Sequence, residues 1–234
     1  MKYAYKDSST WTIETVDSAE GWSSVAVDTN DYPHISYVSS CLRYAYKDGT
    51  GWYLEVADDR AGAGGTNSLV LDTYGYPHIS YRMFYTSTNF DLQYAYKDGA
   101  GWHQEVVDGE GTDNKVGVQS SLALDTYGYP HISYHDNTAY DLKYAYKDET
   151  GWHLEVVDSA GQTGYYTSLV LDTDGYPHIS YYDYSAADLN YARRNTPVPE
   201  FGLGAGLVIG ATLLGVLCIV HRKARRLSPR VLSS

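Results

Sequence analysis

Short runs of alternating apolar and polar residues, separated by turn residues, recur along the first 195 residues of this chain. Residues 68–72 read Ser-Leu-Val-Leu-Asp, which predicts a short strand, and a Thr-Tyr-Gly turn follows. Three more strands are predicted over residues 76–81, 92–97 and 102–107, and a tight turn at 98–101 joins the last two. No run of helical period occurs before residue 200. The pattern therefore predicts an all-β domain.

The four-strand unit is written into the chain four times, at a period of roughly 47 residues. One tyrosine marks the register of the copies, at Tyr3, Tyr44, Tyr94, Tyr144 and Tyr191. A period in this range means that each copy is one unit that buries its apolar face against its neighbours. Four antiparallel strands per unit predict a β-propeller of about four four-stranded blades.

The turns also predict the limits of the blades. If the Ser-Leu-Val-Leu-Asp strand is innermost, complete blades span about 23–58, 67–108 and 121–158. Residues 168–195 then supply three strands of a fourth blade, while 2–16 supply a third and a fourth strand. Two arrangements fit: a four-blade ring sealed by pairing the chain ends, or an open arc that is a fragment of a larger ring. The ring is preferred, because an arc would leave apolar blade faces exposed.

The charge of the chain is split along its length. The five basic residues after Glu200 have no acidic neighbour, which leaves 12 Lys and Arg against 29 Asp and Glu in residues 1–200, a formal charge of −17. A domain so acidic repels a phosphate backbone, so nucleic acid is excluded as a partner. No cofactor is expected, although an acidic surface is compatible with weakly held calcium.

Residues 201–220 are 20 residues without a charge, and as a helix they would span a bilayer core of about 30 Å. Basic residues follow at 222–226, and the positive-inside rule places that end in the cytoplasm and the repeats outside. The predicted organisation is a propeller domain, a linker, a transmembrane helix and a basic cytoplasmic tail, over residues 1–195, 196–200, 201–220 and 221–234 respectively. Met1 stands where the other copies carry leucine, and no apolar leader precedes it. We therefore expect a C-terminal fragment, or a mis-set start, of a longer exported protein.

Two resemblances add to this interpretation. The Tyr-Lys-Asp-Gly-Thr-Gly-Trp hairpin at 46–52, with its copies at 96–102 and 146–152, resembles the Asp-box of sialidase-like, BNR-type propellers. In that family an aspartate caps the turn and a tryptophan packs beneath it; here the tryptophan follows after four positions rather than five. Fucose-binding lectins of six blades are more loosely similar. These resemblances imply the fold.

The tail carries the second resemblance. Pro199, Glu200 and Phe201, followed by the apolar span and the basic cluster, resemble the PEF/PEFG-type C-terminal sorting signals of archaeal surface proteins. The resemblance implies an archaeal cell-surface protein whose anchor is removed by a sortase-like processing enzyme.

Residues present in every copy are explained by building the blade. The histidines of the Tyr-Pro-His-Ile-Ser-Tyr strand could form a metal ring, but we interpret them as core residues hydrogen-bonded between blades. The hairpin aspartates are interpreted as turn caps rather than calcium ligands, and the tryptophans as blade packing. The outer-strand glutamates are expected to face solvent or the next blade. These four sets are His34, His78, His131 and His178; Asp7, Asp48, Asp98 and Asp148; Trp11, Trp52, Trp102 and Trp152; and Glu14, Glu55, Glu105 and Glu155.

Loops that differ between the copies are better candidates for a binding site. Both variable classes, after the second and the fourth strand of a blade, are predicted to project from one face of the propeller. The candidate ligand-binding residues on these loops are Arg82, Tyr85, His135, Asp136, Tyr182 and Asp183.

These features bear on three candidate functions. A sialidase-like glycoside hydrolase would need three converging arginines, a tyrosine–glutamate pair and an aspartate, and no such constellation is evident in the sequence. A structural surface-coat repeat remains an alternative. The sequence favours a non-catalytic, membrane-anchored surface propeller for recognition or adhesion, with a glycan or a protein as ligand.

Overall fold

The computed structural model describes residues 1–109 and 114–194, together with the backbone of residues 218–219. These residues form 18 β-strands and no helix, arranged in five antiparallel sheets. The N-terminal hairpin consists of β1 (Lys2–Lys6) and β2 (Trp11–Thr15). Blade 1 consists of β3 (Ser23–Val27), β4 (Pro33–Val38), β5 (Leu42–Lys47) and β6 (Trp52–Asp58).

The other blades repeat this order. Blade 2 consists of β7 (Ala63–Leu71), β8 (Pro77–Phe84), β9 (Phe90–Asp98) and β10 (Gly101–Asp108). Blade 3 consists of β11 (Val118–Leu124), β12 (Pro130–Asp136), β13 (Asp141–Asp148) and β14 (Gly151–Asp158). Blade 4 consists of β15 (Tyr165–Leu171), β16 (Pro177–Asp183), β17 (Asp188–Arg193) and β18 (Cys218–Ile219).

Aspartates build the tight turns inside each blade. Between β7 and β8, the Asp72 carboxylate accepts hydrogen bonds from the backbone N–H groups of Tyr74 and Tyr76, both at 2.8 Å. Pro77 then begins the second strand, where no ladder donor is needed. Between β5 and β6, the Asp48 carboxylate likewise accepts from the N–H groups of Thr50 and Gly51. The predicted turn-capping role of the hairpin aspartates is therefore confirmed at this hairpin.

The blades stack side by side through their first strands, since β3 contacts β7, β7 contacts β11 and β11 contacts β15. The core lies between blades rather than within one. Between blades 1 and 2, for example, Leu42 and Tyr44 pack against Leu69, Ile79 and other residues of the next sheet. Sheets that bury their faces against successive neighbours around a common axis form a β-propeller. The predicted fold class is confirmed.

The preferred closed ring is wrong. Closure required the N-terminal hairpin to pair with blade 4, but β1 pairs with β2 alone, and the described neighbours of β17 are β16 and β18. The physical reason is that β17 already holds the third-strand position that β1 would need. The hairpin instead packs against blade 1, where Val16 and Tyr3 join Ile35 and Tyr37 in a core cluster. The described sheets therefore form an open arc.

A half-buried contact of lysine, tryptophan and glutamate recurs between neighbouring sheets. Between blades 1 and 2, Lys97 Nζ and Trp102 Nε1 both donate to the Glu55 carboxylate, at 2.6 and 2.9 Å. The indole edge also meets the ring of Tyr44, with 5.4 Å between centroids. The same contact joins Lys47 and Trp52 to Glu14, and Lys147 and Trp152 to Glu105. The sequence left two alternatives for these glutamates, solvent or the next blade. All three of them face the next blade.

A second contact between blades, which was not predicted, joins a buried tyrosine to a carboxylate. The Tyr81 hydroxyl donates to Asp58, at the end of the preceding blade, with a distance of 2.6 Å. Burial and the nearby carboxylate raise the pKa of Tyr81, so its hydroxyl keeps its proton. The equivalent pairs are Tyr37–Asp17, Tyr134–Asp108 and Tyr181–Asp158. The recurrence of aspartate after each fourth strand was the available sequence signal.

The tail predictions fall largely outside the described residues. The described part of the chain contains no helix long and apolar enough to cross a membrane. Within the predicted span 201–220, residues 218 and 219 are described, and they form β18 rather than part of a helix. The rest of that span and the sorting motif Pro199, Glu200 and Phe201 lie outside the described residues.

Candidate functional site

The variable loops project from one side of the arc, which we call the loop face. The loops that follow the second strands lie at residues 39–41, 85–89, 137–140 and 184–187, and those that follow the fourth strands lie between successive sheets. Antiparallel pairing puts the ends of second and fourth strands on the same side of a sheet. The invariant short turns lie on the opposite side, which we call the turn face.

Two candidate residues, Arg82 and Tyr85, lie in blade 2. The Arg82 guanidinium stacks on the rings of Phe84 and Phe90, at 4.2 and 5.0 Å from their centroids. Burial lowers its pKa, and its Nε has no hydrogen-bond partner. Arg82 therefore contributes mainly to the packing of the loop between β8 and β9.

Tyr85 belongs to a polar cluster on the same blade. Its hydroxyl lies 3.5 Å from Gln93 Nε2 and close to the buried carboxyl of Asp91. Burial raises the pKa of Asp91 to about 6, although the Tyr85 hydroxyl opposes this effect. Arg60 borders the cluster, but it is already held by Asp58 at 2.7 Å. The Asp91 carboxyl of this cluster can hold a proton up to about pH 6, but the arginine beside it is already paired.

The Asp91 carboxyl gives a pH-dependent prediction. Its folded-state pKa of about 6 lies above the ordinary value of about 4, so the folded chain keeps a proton that the unfolded chain releases. Stability contributed by this group is present below pH 4 and is lost as the pH rises through 6. We expect Asp91→Asn to stabilise the protein at pH 7.5 by about 1–2 kcal/mol, and not at pH 4. Urea unfolding at both pH values measures this, and an equal change at both would contradict it.

His135, Tyr165, Tyr140 and Tyr184 come together on the loop face of blades 3 and 4. His135 is fully buried, and its Nδ1 lies 2.7 Å from the carbonyl oxygen of Thr163, to which it donates. Its ring lies against Tyr165, with 4.1 Å between centroids, and Tyr140 lies 6.4 Å away. Tyr184 extends the group at 5.8 Å from Tyr165 and is 64% exposed. We call Tyr140, Tyr165 and Tyr184 the tyrosine platform.

The platform residues were not among the predicted candidates, although their neighbours His135 and Tyr182 were. Tyr182 reaches the platform through an edge contact with Tyr184, at 6.3 Å between centroids. The sequence feature that could have indicated the platform is the clustering of tyrosine in the variable loops, at 165–166 and 182–184. The sequence did not predict that loops from two blades would bring these rings together over one buried histidine.

The candidates Asp136 and Asp183 act within their loops. Asp136 accepts from the backbone N–H groups of Thr138 and Ala139, at 2.8 and 3.0 Å, and Asp183 accepts from Ala186 at 3.0 Å. Both carboxylates are buried, and each closes the hairpin between the second and third strands of its blade. They shape the loops that carry the platform. The structure brings His135 and Tyr182 to the platform and leaves Arg82 and Tyr85 apart, in blade 2.

The repeated histidines do not form a metal ring. In blade 2, His78 Nδ1 is hydrogen-bonded to the Tyr94 hydroxyl on the adjacent strand, and Nε2 lies 3.7 Å from Asp72. Burial lowers the pKa of His78, with Asp72 partly opposing this. The predicted core role is supported, but the bonding partner lies within the blade rather than in a neighbouring one. No group of three or more potential ligands converges within the described ranges.

Three arginines of the described residues are held in separate contacts. Arg60 is paired with Asp58, Arg82 stacks on phenylalanine, and Arg194 lies 3.0 Å from Glu155 in another interface. Each guanidinium is therefore occupied in a different interface or loop. Among the described residues, the loop face offers exposed aromatic rings carried on loops that are shaped by their own aspartates.

Comparisons with known proteins agree with this fold. No protein-family model matches the chain, and no curated protein matches it. A protein of unknown function from Dyadobacter fermentans superposes with a TM-score of 0.57 at 10% identity, over 81% of this chain and 66% of that one. Likeness at this identity establishes the fold alone.

Two further solved structures superpose with lower scores. An intramolecular trans-sialidase from Ruminococcus gnavus, in complex with oseltamivir carboxylate, gives a TM-score of 0.48 at 18% identity, over 81% of this chain and 49% of that one. A fucose lectin from Kordia zhangzhouensis, in complex with methyl-fucoside, gives 0.39 at 16% identity, over 57% of this chain and 96% of that one. This chain spans 66% and 49% of the first two structures, so it corresponds to part of their length.

Proposed function

We propose that this chain is a non-catalytic β-propeller that binds carbohydrate on its loop face. The tyrosine platform carries the proposal, because Tyr140, Tyr165 and Tyr184 present partly exposed rings on loops that differ between the repeats. Tyrosine offers a rigid amphipathic surface at low entropic cost, and the C–H faces of sugar rings stack on such aromatic rings. The loops beneath are fixed by the turn caps Asp136 and Asp183.

The negative charge of residues 1–200 bears on which saccharides can bind. Residues 1–200 carry a formal charge of −17, which opposes the approach of an anionic sugar. Neutral saccharides are therefore favoured over sialylated ones. In blade 2, Tyr85 would be a further ligand contact on the same face, and Arg82 would support its loop by packing on Phe84 and Phe90.

The surface role belongs to the same proposal. Residues 201–220 would anchor the chain in a membrane with residues 1–195 outside and the C-terminus in the cytoplasm. In that arrangement residues 218 and 219 would lie in the membrane and not beside β17. Pro199, Glu200 and Phe201 would be the sorting motif for a sortase-like enzyme. Such an anchor suits recognition or adhesion, since it would display the loop face to ligands outside the cell.

A glycan array with neutral and sialylated oligosaccharides, followed by calorimetry with the best saccharide, tests the proposal. We expect neutral saccharides to bind, and Tyr184→Ala to weaken binding at least tenfold because the variant removes an exposed ring of the platform. Tyr74→Ala is the matched control, since Tyr74 is 86% exposed on the turn face and its loss should leave binding unchanged.

Three outcomes would count against the proposal. An array without carbohydrate binding would contradict it, and so would equal losses in the Tyr184 and Tyr74 variants. Hydrolysis of sialyl or fucosyl substrates by the purified chain would favour the glycoside hydrolase alternative instead.

A further inference from the structure

A buried tyrosine lies between an indole and an imidazole at the junction of blades 1 and 2. The rings of Trp102 and Tyr44 meet edge to face, with 5.4 Å between centroids and 70° between planes. The Tyr44 hydroxyl is hydrogen-bonded to His34 Nδ1 on the adjacent strand. His34 Nε2 in turn lies 3.7 Å from Asp28 Oδ2. An indole, a phenol, an imidazole and a carboxylate therefore follow one another, and we call these four side chains the first junction series.

The junction of blades 2 and 3 contains a second junction series with the same geometry. Trp152 meets Tyr94 with 5.4 Å between centroids and 76° between planes. The Tyr94 hydroxyl is hydrogen-bonded to His78 Nδ1, and His78 Nε2 lies 3.7 Å from Asp72. Packing explains why the two rings meet. The imidazole and the carboxylate add a path for the phenolic proton.

The protonation states of the first junction series leave the histidine free to accept that proton. Tyr44 is 2% exposed, and burial raises the pKa of its hydroxyl, so the phenol is protonated at neutral pH. Burial lowers the pKa of His34, although Asp28 partly opposes this, so the imidazole is neutral. The phenol therefore donates to Nδ1, and the Nε2–H faces the carboxylate. The pKa values of Tyr94 and His78 are shifted in the same directions, again by burial.

This order of groups favours the removal of one electron from the phenol. A phenol that loses an electron becomes a strong acid, so the electron leaves more easily when a base within hydrogen-bond reach takes the proton. His34 Nδ1 is such a base for Tyr44, and Asp28 balances the charge of the imidazolium that forms. Trp102 holds the phenol ring in the edge-to-face contact that aromatic pairs adopt. An oxidised indole at this position can therefore take its electron from that phenol.

The indole is the member of each junction series that an oxidant in solution reaches first. Both tryptophans are partly exposed, whereas both tyrosines are 2% exposed. The Trp102 Nε1 also donates to the Glu55 carboxylate at 2.9 Å, and this negative charge stabilises a positive charge on the indole. We therefore expect oxidation to begin at the indole and to end at the buried tyrosine.

We propose that the two junction series are a sink for one-electron oxidants, which they reduce by oxidising a buried tyrosine. In the first series the oxidant takes one electron from Trp102, and Tyr44 then returns one electron to the indole. The phenolic proton moves to His34 Nδ1 in the same step. The products are the reduced oxidant, the original indole, a neutral phenoxyl radical at Tyr44 and an imidazolium beside Asp28. Inorganic radicals and high-potential metal complexes are the substrate classes that suit this chemistry.

Tyr46 provides a comparison within the same stack of rings. Its ring centroid lies 6.0 Å from that of His34 and 5.8 Å from that of Tyr44. His34 Nδ1, however, is hydrogen-bonded to the hydroxyl of Tyr44. Tyr96 stands in the same relation to the second series, with 6.1 Å between its centroid and that of His78. Loss of these two hydroxyls therefore changes the same stacks and leaves both phenol–imidazole hydrogen bonds in place.

Flash oxidation of the full chain tests the proposal. A photo-excited ruthenium tris(bipyridine) complex, oxidised by persulfate, removes one electron from an indole. Transient absorption then follows the indolyl and phenoxyl radicals, whose spectra differ. The complex is cationic, so the formal charge of −17 on residues 1–200 favours its approach. We expect a fast conversion of indolyl into phenoxyl absorption, and a phenoxyl signal in the electron paramagnetic resonance spectrum of frozen samples.

Two double variants identify the tyrosines that are oxidised. Tyr44→Phe combined with Tyr94→Phe should lower the amplitude of the fast conversion at least tenfold, because both donor phenols are removed. Tyr46→Phe combined with Tyr96→Phe is the matched control and should leave the amplitude unchanged. An unchanged amplitude in the first double variant, or equal losses in both, would overturn the proposal.

Deuterium oxide supplies a measurement that does not depend on a variant. Because the phenolic proton moves to histidine with the electron, the fast conversion should be at least twofold slower after the hydroxyls have exchanged. Equal rates in the two solvents would contradict the proposal, since they would mean that no proton moves in the step that forms the phenoxyl radical.

Discussion

Trp102→Ala is expected to destabilise the protein by about 3 kcal/mol, whereas Trp11→Ala should change the stability of a single copy by less than about 0.5 kcal/mol. Both tryptophans stand at the same place in the repeat. Trp102 is packed on Tyr44 and donates to Glu55 at 2.9 Å, so truncation opens a cavity and leaves a half-buried carboxylate with one donor fewer. Trp11 has no such surroundings, since its side chain is largely exposed.

Urea unfolding of the two variants at low protein concentration measures the difference. Trp102→Phe is a useful intermediate, because it keeps an aromatic ring and removes the N–H donor; we expect a loss of about 1 kcal/mol. Equal losses for Trp11→Ala and Trp102→Ala would mean that the indole contact does not stabilise the interface between blades.

Gly164→Ala is expected to cost more than about 3 kcal/mol, because a methyl group at this position would collide with the backbone of blade 3. An added Cβ would lie 2.7 Å from Leu142 Cα and 3.0 Å from Leu142 Cβ, and Leu142 is fully buried. The φ of Gly164 is +84°, which adds the cost of a left-handed conformation for alanine.

Gly75→Ala separates the cost of the steric collision from the cost of the left-handed backbone conformation. Gly75 has the same φ of +84°, but an added Cβ there meets nothing within 4 Å. We expect this control to lose only about 1 kcal/mol, from the backbone term. Chemical unfolding of both variants tests the comparison, and a Gly164 variant no less stable than the Gly75 variant would show that the blades can separate to admit the methyl group.

The strands and turns could be predicted from the sequence because their determinants are local. The alternation in 68–72 and the Asp72 turn depend on neighbours a few residues away, and the structure contains both. The repeat made the strand prediction firmer, since the same pattern of strands and turns occurs in every copy. This is why the fold class was predictable without a relative of known structure.

The contacts between blades could not be predicted in the same way. The bond from Tyr81 to Asp58 joins residues 23 positions apart in different sheets, and nothing in the local pattern pairs them. The sequence pattern predicts a partner for His78 in another blade, but its partner Tyr94 lies on the adjacent strand of the same blade. The strand register within each sheet and the tilt between sheets determine which side chains meet. The sequence of a single strand specifies neither.

The position of the variable loops on one face could be predicted from the sequence, but the side chains that lie together on that face could not. The loop face followed from which loops vary, and His135 and Tyr182 do lie at the platform. Asp136 and Asp183 instead cap their own loops, because each carboxylate accepts hydrogen bonds from the backbone N–H groups of its own turn. Which tyrosines converge depended on two loops of different blades.

The identical lysine–tryptophan–glutamate contact has a consequence for how such a chain can change in evolution. Because the three junctions from the N-terminal hairpin to blade 3 use the same donor pair and the same acceptor, removal of one complete unit among them would bring two previously separate units together with their partners already matched. Duplication of a unit would be tolerated for the same reason. Unequal recombination can therefore lengthen or shorten the scaffold without first evolving a new junction, while the loops on its variable side diversify independently.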